Sequence, residues 1–587
     1  MKANGVNHLW AKLMIAELIR CGISEFCVSP GSRSTPLALA VAENPDARAL
    51  VHFDERGSAF RALGLAKATG KPAVLICTSG TAPANYYPAI IEASRSATPM
   101  IILSADRPME LRDTGAAQTI DQVKMFGDYL RWSIDLLPPD TQVPPEVVLT
   151  TIDQAVRMSF GRQAGPVQLN CQYREPLAPH EKTQDYSDYC SVLSKWLGNS
   201  RPYTEQLSPS RVDDAQSNRL IELAKQARRG VIVSGTLPSC MDPTPIVELA
   251  DRWQWPLIAD VCSGVRSTGR YSSNIICHAD LYLRNATICE TLKPDLVLQF
   301  GTSPISKSVA NYAASSSAEY IVVVDQPERI DPHHRVTLRM ESSAVKLASQ
   351  LLPAAGVPRS ELLERFVKYD SLAADSISKA LAVNGQQISE LQVASEIARL
   401  TPADRGLFLA TSMPIREFDC VAPQTEHRLS IAANRGANGI DGTIASAVGF
   451  ADGLGLPVTL LIGDVAALHD LNSLALLKQA RQSITVIILN NDGGGIFSML
   501  PVAAIKSHFE EFFGTPHGLG FLNAADMFGI KYHCPNSIKD FCAVYRHSLK
   551  SNKSAIIEIG CSRKDNVEQH RQLWKAVQER VEKYAVK

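Results

Sequence analysis

One pattern recurs along the chain: a short apolar run, a polar cluster at its carboxyl end, then a stretch of helical period. In the first third the runs Phe26–Ser29, Leu50–Phe53, Ala73–Cys77 and Met100–Leu103 predict strands, with Val167–Asn170 as a late addition. They close on polar groups such as Asp54-Glu55-Arg56-Gly57, Thr78-Ser79-Gly80 and Asp106-Arg107. A second block offers Gly230–Ser234, Pro256–Ala259, Leu296–Phe300 and Tyr320–Asp325; a third offers Leu407–Ala410, Val458–Ile462, Ile484–Leu489 and Ala555–Ile559. Apolar strands alternating with helices such as Ser58–Thr69 and Leu471–Gln482 predict parallel sheets covered on both faces, with ligands at the carboxyl edge. The expected fold class is therefore α/β, with three doubly wound parallel-sheet domains spanning 1–184, 210–359 and 387–587. Residues 185–209, rich in Ser, Tyr, Pro and Gln without period, read as a linker, and 360–386 as a helical linker. The opening residues Met1–Gly22 predict an amphipathic helix and not a signal peptide, because no continuous apolar segment follows the first charges.

Composition narrows the class. At 587 residues the chain is too long for one core. Its 45% apolar and 20% charged content suits a soluble globular enzyme. A net charge of −1 supplies no basic excess for nucleic acid. The 13 cysteines are scattered, without CxxC pairs or zinc spacing, as expected of reduced thiols in a cytoplasmic protein. No apolar run reaches 18 residues, so no membrane span is expected.

Candidate chemistry concentrates between Val458 and Phe497. Asp464 follows one predicted strand and Asn491 the next, 27 positions on, so one βαβ unit can bring both to the same sheet edge. A carboxylate, an amide oxygen and a backbone carbonyl are hard ligands suited to Mg²⁺ beside phosphate oxygens, and Gly493–Gly495 allow close backbone approach. An ordinary turn with solvent-facing Asp and Asn is the alternative. The glycine-dense loop Asn434–Gly442 opens a helix whose unpaired N–H groups suit an anion. Glu55 alone reads as a cap or salt-bridge partner, and Lys307 alone as a solvated charge. The turn Ser234-Gly235-Thr236 lacks a full GxGxxG pattern, so the middle block reads as structural.

Seven stretches together resemble the thiamine diphosphate enzymes: SPGSRSTPLALA, HFDERGSAFRALGLAKATGKPAV, TSGTAPANYYPAIIEA, SADRPMELRDTGAAQTIDQ, AANRGANGIDG, GDVAALHDLNSLALL and NNDGGGIFSMLP. Within that superfamily the first and sixth, with the NRGxxGIDG run, resemble the branch that makes 2-succinyl-5-enolpyruvyl-6-hydroxy-3-cyclohexene-1-carboxylate in menaquinone or phylloquinone biosynthesis. The match covers the first and third domains nearly throughout and the middle domain mainly near Lys307. The resemblance implies thiamine diphosphate with Mg²⁺ or Mn²⁺, 2-oxoglutarate and isochorismate as substrates, and a homodimer or homotetramer. It implies that Glu55 bonds the cofactor's aminopyrimidine, that Asp464, Asn491 and the Gly493 carbonyl hold the metal, and that Ile440, Gly463 and Ser412 contact the cofactor. It further implies that Arg33, Arg107, Arg416, Arg435 and Lys307 bind substrate carboxylates, with Ser32, Gln118 and Ser412 as polar neighbours and Ile496 and Phe497 lining the pocket. Two departures stand out: Val465 where the superfamily has a Gly-Asp-Gly run, and Asp492 where an Asn-Asn-Asn run is common. Another 2-oxoacid decarboxylase or carboligase, and a catalytically silent homologue, are the competing readings; the arginine set speaks against the first and the retained Glu55, Asp464 and Asn491 against the second.

Overall fold

The computed structural model describes residues 1–161, 163–178, 182–205, 214–315, 318–382 and 388–585. The ends of both expected linkers, at 206–209 and 383–386, and the boundary at Gln387 lie outside the described residues. Among the described residues, three six-stranded sheets, parallel throughout, carry the fold. The first contains β1 (Glu25–Val28), β2 (Arg48–Val51), β3 (Ala73–Cys77), β4 (Met100–Asp106), β5 (Trp132–Leu136) and β6 (Pro166–Gln172), in the order β2-β1-β3-β4-β6-β5. The second contains β7 (Gly230–Ser234), β8 (Leu257–Ala259), β9 (Ile275–Ile276), β10 (Leu296–Phe300), β11 (Glu319–Val324) and β12 (Leu338–Glu341), ordered β9-β8-β7-β10-β11-β12. The third contains β13 (Gly406–Leu409), β14 (Ile431–Ala432), β15 (Val458–Gly463), β16 (Ile484–Asn490), β17 (Lys531–His533) and β18 (Ala555–Gly560), ordered β14-β13-β15-β16-β18-β17. Strands β5, β9, β12, β14 and β17 are additions to the sequence reading. Each lies at a sheet edge or next to one, where short or mixed sequences suffice because one side of the ladder needs no partner.

The chain forms two compact units. The first comprises 1–209 together with 434–455 and 470–481, so two segments from the last third of the sequence pack with the first sheet. The helix Thr443–Leu454 lies against the helix Glu55–Thr69. Gly64 and Gly449 sit at their crossing, where a Cβ would come within 2.0 Å of the Ser446 carbonyl oxygen and 1.9 Å of the Arg61 carbonyl oxygen. Arg61 and Asp452 seal it with a fully buried ion pair at 2.7 Å. Removing either partner of such a pair leaves an uncompensated charge, at about 3–5 kcal/mol.

Two expectations change in this unit. The opening helix, Val6–Arg20, is buried nearly all round, with Leu9, Trp10, Leu13, Met14 and Leu18 inward and Glu17 buried as well. A helix apolar on most faces belongs inside a core, so it is not an amphipathic surface helix. The stretch read as a linker docks instead: Cys190, Leu193 and Trp196 join the first core, Trp196 Nε1 donates to Glu17, and Gln184–Asp185 pairs antiparallel with Lys2–Ala3.

The second unit, 210–433, 456–469 and 482–587, holds the other two sheets. One apolar cluster runs through both, from Val231 and Val297 to Leu407 and Ile487. Arg266 bolts them together. Its guanidinium donates to the Ala259, Asp419 and Ala422 carbonyls and pairs with the Asp419 carboxylate at 2.9 Å. In the middle sheet, the crevice between the ends of β7 and β10 is filled by backbone: Gly235 N–H donates to Phe300 O, and Thr302 N–H to Thr236 O. The expected helix Leu471–Gln482 is a 3₁₀ segment over Leu471–Lys478, and the α-helix Asp464–His469 before it is an addition to the sequence reading.

Candidate active site

At the edge of the third sheet, Gly463 of β15 lies opposite Leu489 of β16, so Asp464 and Asn490-Asn491 leave the sheet together. Asp464 is buried; its Oδ2 accepts from Gly493 N at 2.9 Å and its Oδ1 from Val465 N at 2.7 Å. His517 Nε2 stands 3.2 Å from the same Oδ2. Asn491 is buried too. Its Nδ2 donates to Glu390 Oε1 at 3.0 Å, whereas its Oδ1 has no hydrogen-bond partner among the described residues. Gly493 has φ +130°, and a Cβ there would lie 1.9 Å from the Gly514 carbonyl oxygen, so only glycine fits. Around Gly463 a Cβ would meet nothing within 4 Å, leaving room for a ligand. A buried carboxylate, an orphaned buried amide oxygen and a backbone carbonyl fit a hard divalent cation. Asp492 turns elsewhere: its Oδ1 accepts from His517 N and Gly518 N, both at 2.8 Å, and those amides hold its carboxyl below the usual range.

Behind Asn491 lies a buried acid pair. Glu390 begins the helix Glu390–Leu400 and Glu417 lies on the helix Met413–Val421; both carboxyls are buried and close enough to act on each other's charge. Burial raises both groups, and for Glu390 the Glu417 charge adds to it. Glu417 Oε1 also accepts from Asn566 Nδ2 at 2.8 Å. His570, 3.8 Å from Glu417, is pushed down to about 4 by burial and is therefore neutral near pH 7.

At the carboxyl edge of the first sheet, Arg33 and Arg107 are close enough that the Arg33 charge, after burial, is the next cause lowering the Arg107 guanidinium. Arg33 is buried and donates to the Tyr173 carbonyl at 2.9 Å, with Glu175 at 3.5 Å. Arg107 donates to Ser79 Oγ and to the Gln118 carbonyl. Buried Gln122 braces this edge, accepting from Gly80 N and donating to Asn170 Oδ1. Gln118, with φ +54°, and Ser32 are exposed beside it. Glu55 starts the helix Glu55–Thr69, capped by Asp54, and burial raises its carboxyl above the usual range. The edge thus brings together Arg33, Arg107 and Gln118.

The remaining candidates are placed as follows. Ser412 stands at the N-cap position of the helix Met413–Val421 with φ +72°, a conformation rare outside glycine, and its carbonyl accepts from Arg416. Arg435 and Ile440 are half-buried in the first unit; Ile496 is half-buried and Phe497 exposed in the second, and Phe497 meets Phe513 edge-on at 5.8 Å. Lys307 is exposed at the start of the helix Lys307–Ser315.

The glycine-dense loop does not behave as its sequence suggests. Gly436 N and Ala437 N donate to buried Glu92, at 2.8 and 2.6 Å. At the helix start, Ile444 N and Ala445 N donate to Asp470 Oδ2, at 2.7 and 3.1 Å. The anions these amides attract are the protein's own carboxylates. Sequence reasoning also missed His517, Arg563, whose Nε donates to the Asn491 carbonyl, and Glu390. The Ser389–Gln392 capping box marks a helix start, but a glutamate in a first turn carries no further signal.

Comparison with known proteins fixes the class. Residues 10–125 match the family model described as thiamine pyrophosphate enzyme, N-terminal TPP binding domain; 187–409 match the middle domain, and 422–559 the C-terminal TPP binding domain. A Rhodococcus jostii thiamine diphosphate-dependent 4-hydroxybenzoylformate decarboxylase superposes with a TM-score of 0.71 over 94% of this chain and 99% of its own, at 16% identity, which establishes shared fold alone. The chain is thus built as a thiamine pyrophosphate enzyme. A 2-succinyl-5-enolpyruvyl-6-hydroxy-3-cyclohexene-1-carboxylate synthase from Rubrobacter xylanophilus is 45% identical over 97% of this chain and 98% of its own. One of the same name from Chlorobium phaeobacteroides is 43% identical over the full length of both. The chain belongs to this synthase family.

Proposed function

We propose that the chain decarboxylates 2-oxoglutarate and adds the resulting succinyl unit to the conjugated alkene of isochorismate, giving 2-succinyl-5-enolpyruvyl-6-hydroxy-3-cyclohexene-1-carboxylate and CO₂ for menaquinone or phylloquinone synthesis. The observation that carries this is identity above 40% along the whole chain to synthases of that name. Bound thiamine diphosphate would supply the nucleophilic carbon and the electron sink that decarboxylation requires. Asp464, Asn491 and Gly493 would hold Mg²⁺, or Mn²⁺ in its place, against the diphosphate, with Gly463 and Ser412 beside it. Glu55 would hold a proton against the aminopyrimidine; its burial-raised carboxyl suits that task. Ile440 would wedge the cofactor in its reactive shape.

Both substrates are dicarboxylates. Arg33, Arg107, Arg416, Arg435 and Lys307 would meet their carboxylates, and arginine does so in forked, bidentate geometry. Ser32 and Gln118 would add polar contacts, and Ile496 and Phe497 would keep water from the reacting carbon. The set favours a dicarboxylate reaction over a pyruvate-type decarboxylation, which needs fewer cations. A homodimer or homotetramer follows if Glu55 of one protomer serves a cofactor held by its partner. Among the described residues no helix is long and apolar enough to cross a membrane. The test is to combine protein, thiamine diphosphate, Mg²⁺, 2-oxoglutarate and isochorismate and follow isochorismate loss. Loss that needs every component supports the reading; CO₂ release without isochorismate loss rejects it.

A further inference from the structure

Asn491 can serve a cation only through Oδ1, yet its two amide arms are nearly identical in shape. Turned half a revolution, the side chain would present an NH₂ group to the metal position and repel any cation there. Something must choose the orientation, and the backbone does not. On one side of the amide lies Glu390, 2% exposed, with Oε1 3.0 Å from Nδ2. A carboxyl oxygen in that position accepts and so selects the NH₂ arm. The opposite arm, Oδ1, is then left without a partner among the described residues, at the sheet edge where Asp464 and Gly493 meet each other.

We propose that Glu390 is a positioning residue that locks the Asn491 amide with its oxygen toward the divalent cation; this rests on the reading of Asn491 as a ligand. Glu390 is itself immobilised. Its helix starts at a capping box, Ser389 with Gln392, and its carboxyl meets Glu417, which Asn566 holds from the far side. Glu417 lies one turn along the helix that Ser412 precedes. The same buried carboxyl contact therefore ties the metal edge to the segment bearing Ser412 and Arg416. Partners of this kind, one step removed from the metal, change affinity 10- to 100-fold when lost.

The measurement is Mn²⁺ binding to the full-length protein with thiamine diphosphate, read by electron paramagnetic resonance of the free ion. Glu390→Met keeps length but offers no acceptor, and should weaken Mn²⁺ about 10- to 100-fold. Glu390→Gln can still accept from Asn491 through Oε1 while its amide faces Glu417, and should stay within about twofold of wild type, far inside that range. If Glu390→Met does not fold, Glu390→Asp replaces it; pulling the acceptor back by one methylene should weaken binding severalfold. In an Asn491→Asp background no wrong orientation exists, so Glu390→Met should produce no further loss there. Equal losses in both backgrounds, or wild-type affinity in Glu390→Met, would overturn the positioning role. Unchanged affinity in Asn491→Ala would instead overturn the ligand reading on which it stands.

Discussion

The first and third sheets share one strand order, with the second-formed strand outermost and the switch of direction between the first and third, yet their carboxyl edges carry opposite chemistry. The first presents guanidinium groups, the third hard oxygens. The topology decides only where polar residues collect; the side chains decide what they hold. The edges also differ in what they leave unpaired among the described residues, a donor such as Arg33 Nε in the first and an acceptor such as Asn491 Oδ1 in the third. In the first, Arg33 and Arg107 repel each other and are braced by the Tyr173 and Gln118 carbonyls and by Ser79. In the third, Asn491 Oδ1 is buried with no partner among the described residues. Like charges need support before a ligand arrives, whereas a metal site must keep an acceptor in reserve.

The sharpest break in this comparison is Glu55→Gln, at the first edge but, in the proposed reaction, acting on the cofactor. It removes a proton-holding carboxyl while keeping shape, and kcat should fall about 10²- to 10⁴-fold. Mn²⁺ affinity, which the proposal assigns to the third edge, should not change; a variant with near-normal kcat would remove Glu55 from the reaction. Next comes Asp464→Asn, which exchanges a buried carboxylate for an amide. Divalent affinity should drop on the order of 100-fold, at least the upper end of what outer partners produce. Titration of Mn²⁺ into the variant checks it, and wild-type affinity would leave the third edge without a metal role.

Arg107→Met should act on substrate alone. Losing charge-assisted hydrogen bonds of about 1.5–3 kcal/mol raises the KM for one dicarboxylate roughly 10- to 100-fold, with cofactor affinity constant. Steady-state kinetics with each substrate varied in turn shows which dicarboxylate it serves. Unchanged KM for both would make the first edge structural.

The contrast between the edges was partly legible in sequence. Central strands such as Ala73–Cys77, Gly230–Ser234 and Leu296–Phe300 are mainly apolar runs, and the structure places them at those residues. Edge strands such as Lys531–His533 are short and mixed, so periodicity passes over them. Asp464 and Asn491 were visible because each follows a buried strand. Glu390 was not: its partner lies 101 positions away, and no local pattern encodes that contact. The glycine-dense loop misled for the same reason. Its free amides are a local fact, but the carboxylates that occupy them, Glu92 and Asp470, arrive from distant positions.

That last point can be tested with the smallest effect. Asp470 Oδ2 takes two amides at the start of the helix Thr443–Leu454, and Oδ1 takes the Ser473 hydroxyl at 2.7 Å. Asp470→Asn keeps an oxygen for the amides but loses the charge that the helix end favours, so stability should fall by about 0.3–1 kcal/mol. Asp470→Ala leaves two buried donors unpaired and should fall by a further 1–3 kcal/mol or so. Thermal unfolding of the three proteins orders them, wild type above Asn above Ala. An Ala variant as stable as wild type would mean that these amides have another partner, and that the loop keeps its donors for a ligand after all.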